Sequence, residues 1–103
     1  MNIQPNETYI LNFLKTLLDT PSPSGFTHNI MTLIGREAEA LGVPCSFNEK
    51  GGAILTIPGR DSSRRIALSG HVDTLGAMVR AIRSNGTLAI TSVGGFMMNS
   101  IEN

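Results

Sequence analysis

The chain has one cysteine, one tyrosine and no tryptophan in its 103 residues. A single thiol, Cys45, excludes an internal disulfide and a cysteine-built zinc knuckle, and it reads as a small buried hydrophobe. Net charge is lacking too, because eight basic side chains offset eight acidic ones and no basic run exceeds the pair Arg64 and Arg65. The electrostatic footprint for binding nucleic acid or an anionic membrane is therefore missing. Also absent are the ~18 uninterrupted apolar residues of a membrane span and the basic-then-apolar start of a signal peptide, since the chain opens "MNIQPNETYI". The expectation is a cytoplasmic protein with neither a nucleic-acid nor a membrane partner.

What is present, with 41% hydrophobic residues, is enough for a modest core in one domain or part of a larger one. From Asn6 onward, Ile10, Phe13, Leu14, Leu17 and Leu18 recur at helical spacing, and Asn6 can cap the first turn. This predicts an amphipathic helix ending near Thr20, broken by "PSPSG" at residues 21–25. A second helix follows with Ile30, Met31, Ile34, Ala38 and Leu41 on one face and Gly42 as its stop.

After Gly42 the period changes. "VPCSF", "AILTI" and "IALSGHV" read as short strands separated by the turn compositions "NEKGG" and "PGRDSSRR". "AMVRAIR" and "TLAIT" alternate apolar and polar around "SNG", where Asn85 and Gly86 can take positive φ, and so predict a hairpin. "AILTI" and "IALSGHV" are mostly apolar, as in strands covered on both faces, whereas "AMVRAIR" alternates, as in a sheet with one wet face. A boundary between two substructures is therefore expected near Thr74 to Gly76.

Chemistry concentrates in "GHVDT". Residues two apart on a strand point to the same side, so His71 and Asp73 should project together from a strand's C-terminal end. That end is where open α/β sheets bind ligands. Imidazole and carboxylate suit zinc, cobalt or manganese, and the carboxylate can also fix the tautomer of a ligating histidine. The spacing alone favours a satisfied structural histidine over a metal ligand, and both readings stay open on these two residues.

The order and spacing of "PSPSGFT", "GHVDTLGAMV", the "NG" turn and "VGGF" together resemble the glutamyl aminopeptidase family, metallopeptidase family 42. These are cytosolic metal-dependent aminopeptidases that include the TET and deblocking aminopeptidases and endoglucanase-like proteins. The resemblance runs over nearly the whole chain. It implies an α/β fold in which residues 1–75 form the N-terminal part of a dinuclear-metal aminopeptidase catalytic domain, two helices plus strands of a mixed sheet. Residues 76–103 would then be the first strands of an inserted β-rich dimerisation domain, PDZ-like or barrel-like, cut short. By the same resemblance His71 matches a metal ligand, and Asp73 matches the catalytic aspartate that orients this ligand from behind.

The cofactors implied are two divalent metal ions, zinc or cobalt, and the reaction is hydrolysis of N-terminal residues from peptides by metal-activated water. Thr74 departs from the family, many of whose members carry glutamate there. "SGHVDT" is also similar to a related carboxypeptidase and deacylase family, which usually continues with Val-Pro; "LGAMV" and "VGGF" favour the aminopeptidases.

A dinuclear site needs more than one histidine: a bridging carboxylate, further ligands and a glutamate to take the proton from water. In the family these come from later in a longer chain. Glu7, Asp19, Glu37, Glu39, Glu49, Asp61 and Glu102 read as surface charges, and His28 as a surface or capping residue at the start of the second helix. The expectations are weak single-metal binding at most and no peptidase activity from this chain alone. Open strand edges and uncovered Phe96, Met97 and Met98 should also drive homo-oligomerisation or association through exposed strands. On that ground a non-catalytic assembly module is the rival reading.

Overall fold

The structure is a computed structural model and describes residues 4–100. Its first helix, α1, spans Glu7–Leu18, and the Oδ1 of Asn6 accepts a hydrogen bond from the Tyr9 amide at 3.0 Å. The predicted cap is thus in place, with Glu7 in the first turn and Lys15 in the last, both favourable to the helix dipole. The second helix, α2, spans His28–Ala40. It ends at Gly42 as predicted: the Val43 amide donates to the Ala38 carbonyl at 2.8 Å and the Gly42 amide to that of Glu39 at 3.0 Å. These two bonds form a Schellman closure that satisfies carbonyls otherwise left without partners.

Four strands follow: β1 Cys45–Phe47, β2 Ala53–Leu55, β3 Gly76–Ile82 and β4 Leu88–Val93. They form two separate antiparallel pairs, β1 with β2 and β3 with β4. In the first hairpin the Asn48 carboxamide oxygen accepts from the amides of Lys50 and Gly52, so the turn at "NEKGG" organises itself. In the second, the Gly86 amide donates to the Arg83 carbonyl and the Arg83 amide to that of Thr87. Gly86 takes a φ of 82°, while no non-glycine residue among those described has positive φ, so Asn85 does not share that role. Asn85 instead accepts from the Thr87 amide and hydroxyl through its side chain.

Two expectations need correction. "IALSGHV" is not a strand: residues 64–73 are irregular, and Ile66 and Leu68 are 91% and 96% exposed. A strand exists only when a neighbour takes up its backbone hydrogen bonds, and among the described residues nothing pairs with residues 66–71. "AILTI" likewise is not covered on both faces, since Ile54, Leu55 and Ile57 are all exposed. The expected mixed sheet is therefore represented by the two antiparallel pairs and one isolated parallel bridge, Pro23 to Thr74.

The buried apolar residues among those described are Ile30 and Ala38, both on α2, where β1 and β2 pack. The face of α1 that carries Ile10, Leu14 and Leu18 stays exposed. The radius of gyration, 18.3 Å, exceeds the roughly 13 Å of a compact domain of about 100 residues. Met97 is exposed and Phe96 half-buried; Glu102 and the Met98 side chain lie outside what is described.

Candidate metal centre

The "PSPSG" segment does more than end α1. Pro23 forms the parallel bridge to Thr74, and the Thr74 amide donates to the Ser22 carbonyl at 2.9 Å. Ser22 is fully buried, and its hydroxyl donates to the Val72 carbonyl at 2.7 Å. Val72 lies between the two candidate site residues, so this bond fixes the backbone from which both project. Close packing continues at Gly76, where an added Cβ would stand 2.6 Å from the Cβ of Pro23. Only glycine permits that approach.

On this frame the two predicted side chains meet. His71 Nδ1 and Asp73 Oδ1 lie 3.1 Å apart, and the other carboxylate oxygen, Oδ2, accepts from the Ser24 hydroxyl at 2.9 Å. The Ser24 hydroxyl, and after it the His71 imidazole, hold the Asp73 carboxyl below the usual carboxylate range. An ionised carboxylate only accepts hydrogen bonds, so the proton between the residues belongs to His71 Nδ1. In the neutral imidazole Nε2 then carries the lone pair. His71 is 85% exposed on its side chain and Asp73 47%, so Nε2 is open to a ligand while Asp73 is engaged on both oxygens.

This donor set fits one position in a metal's coordination shell. An imidazole whose far nitrogen is fixed by a carboxylate is the arrangement that metal-ligating histidines commonly have. Among the described residues no three His, Cys, Asp or Glu side chains come together, so the other positions of a shell are not supplied there. His28 lies elsewhere: it lines a groove of about 480 Å³ with Phe26, Met31 and Phe47 at the start of α2. Glu37 is engaged in a different contact, accepting from the Tyr9 hydroxyl at 2.5 Å. Asp61 accepts from the amide and hydroxyl of Ser63, which hold its carboxyl below the usual range.

The sequence pointed to His71 and Asp73 but not to Ser22 or Ser24. In the sequence both serines read only as part of the helix-breaking "PSPSG" turn, and nothing local marked them, because their partners Val72 and Asp73 lie about fifty positions away.

An α/β chain that presents a carboxylate-steadied imidazole from a loop beside a hairpin is consistent with part of a metallohydrolase. The family model for M42 glutamyl aminopeptidase matches residues 51–103. The chain belongs to that family. The match takes in His71, Asp73 and "VGGF", and it decides between the two resemblances despite Thr74.

Among curated relatives, a protein of Bacillus subtilis (strain 168) named as an aminopeptidase, YhfE, is 46% identical over 92 residues, 89% of this chain and 27% of its own length. The glutamyl aminopeptidase of Lactococcus lactis subsp. cremoris (strain MG1363) is 27% identical over 84 residues, 81% of this chain and 24% of its own. The chain thus spans about a quarter of the length of these relatives. Among the described residues no helix is long and apolar enough to cross a membrane.

Proposed function

We propose that this chain is the N-terminal portion of a cytoplasmic, metal-dependent aminopeptidase that removes N-terminal residues from peptides. The observation that carries this reading is the His71–Asp73 pair, with Nδ1 held and Nε2 open, inside the segment matched to the family. His71 would bind one of two divalent ions, zinc or cobalt. Asp73 would keep its imidazole in the ligating tautomer and orientation. When bound, the metals supply Lewis-acid polarisation of the scissile carbonyl and a more acidic water.

Residues 1–75 then belong to the catalytic domain and residues 76–103 to the start of an inserted β-rich domain; β3 begins at Gly76, in keeping with that division. Among the described residues the cluster holds one histidine and one aspartate, which do not complete a dinuclear site, and on this reading the 103-residue chain alone is inactive. Exposed Ile57, Ile66 and Leu68 and the open edges of the β3–β4 pair favour self-association or pairing with another chain.

The test is release of N-terminal amino acids from peptides, with and without added zinc or cobalt, by the purified chain and by the native polypeptide from its cells. The reading expects metal-dependent release from a longer native polypeptide and none from the purified chain. Strong metal-dependent release by the 103-residue chain, lost in His71→Ala, would overturn the inactivity. Cleavage of acylated amino acids or C-terminal residues in place of free N-termini would overturn the substrate class.

A further inference from the structure

We propose that Ser24 is a positioning residue that sets the tautomer and orientation of His71 through Asp73. The side chain of His71 is 85% exposed, so packing does little to hold the ring. Its orientation rests on the hydrogen bond from Nδ1 to Asp73 Oδ1. A carboxylate anchored at one oxygen can still swing about its terminal torsion, which is broad and roughly two-fold. Ser24 removes that freedom by donating to Oδ2 and leaving Oδ1 for the imidazole.

Ser24 is itself well placed to do this. The Phe26 amide donates to the Pro23 carbonyl at 2.8 Å, which closes the turn that carries Ser24, and the Pro23–Thr74 bridge fixes that turn beside Asp73. Forty-nine positions separate Ser24 from Asp73 in the chain, so the contact depends on tertiary structure and not on local sequence. The residue lies outside the segment matched by the family model, residues 51–103. The consequence is a relay in which a loop between the two helices determines which nitrogen of His71 faces outward. Its functional meaning rests on reading His71 as a metal-facing imidazole, but the relay itself does not.

The chain has two histidines, so His28 serves as an internal reference. Long-range proton–nitrogen correlation spectra of the nitrogen-15-labelled chain, in alkaline buffer where a free imidazole is neutral, report the tautomer of each ring. The wild type should show His71 biased to the Nδ1–H form relative to His28. Ser24→Ala should shift the His71 ratio by about two- to threefold, the scale of one modest hydrogen bond, with His28 and the dispersion of the backbone amides unchanged. Ser24→Thr, which keeps the hydroxyl, should restore the bias. An unchanged His71 ratio in Ser24→Ala overturns the proposal, and so does a change that comes only with loss of amide dispersion. None of these readouts depends on peptide hydrolysis, so failure of the aminopeptidase reading would show separately in the release assay.

Discussion

The Ser22 hydroxyl donates to the Val72 carbonyl at 2.7 Å across fifty positions of chain, and Ser22 is fully buried. This bond ties the loop between the helices to the segment that carries His71 and Asp73. Ser22→Ala removes the donor and leaves the carbonyl without that partner, a loss on the order of 1–2 kcal/mol for a buried hydrogen bond. For a chain of this size about 1 kcal/mol lowers the thermal midpoint by roughly 4–8 °C. Calorimetry of the variant should show a drop of roughly 4–16 °C. Faster hydrogen exchange at the Thr74 amide, which donates to the Ser22 carbonyl, should accompany it.

Gly76 and Gly70 flank the site and should respond differently to a methyl group. A Cβ at Gly76 meets the Cβ of Pro23 at 2.6 Å, whereas one at Gly70 meets nothing within 4 Å. Overpacking of this kind costs about 1–3 kcal/mol because neither backbone can yield freely. Gly76→Ala should therefore lower the urea midpoint, and Gly70→Ala should leave it within error. Equal effects of the two substitutions would contradict the close approach of Pro23 to the start of β3.

Much of the local structure was legible in the sequence because its causes are local. The period of Ile10, Phe13, Leu14 and Leu17 with Asn6 as cap gave α1, and Gly42 marked the end of α2. "SNG" located the β3–β4 hairpin and "NEKGG" the turn between β1 and β2 through turn chemistry. What stayed hidden was long-range. Pro21 and Pro23 read as breakers, but the bridge from Pro23 to Thr74 and the two serine contacts depend on which segment arrives beside the loop. "IALSGHV" erred in the other direction: its composition suits a strand, but composition does not supply the partner that a ladder requires.

Tyr9 and Glu37 join α1 to α2 through a hydroxyl–carboxylate hydrogen bond. That bond, followed by burial and the Glu37 charge, raises the Tyr9 hydroxyl above its ordinary value of 10.0. For a group whose folded value is raised, the contribution to stability is fully present below the unfolded value and is lost as pH rises through the folded one. The contact should thus act at neutral pH and disappear in alkali above the ordinary phenol range. Tyr9 is the chain's one tyrosine, so ultraviolet absorbance of the phenolate reports it directly. The midpoint should lie above that of free tyrosine, and Glu37→Gln should bring it down. A wild-type midpoint at the free value would rule the contact out in solution.

A metal ion should add little to the stability of this chain. His71 offers one imidazole nitrogen, and among the described residues no group of three candidate ligands forms around it. A site with one protein ligand leaves the remaining positions to water, so binding should be weak. Stabilisation by a ligand that binds only the folded state follows its concentration relative to the dissociation constant, and at equality it amounts to about 0.4 kcal/mol. Thermal midpoints of the chain should therefore agree within about 3 °C in chelator and in zinc or cobalt at or below that constant. His71→Ala should abolish whatever small difference remains. A large, saturable rise in the midpoint at low metal concentration would mean that residues beyond the His71–Asp73 pair complete a shell, and the inactivity proposed for the isolated chain would need to be reconsidered with them.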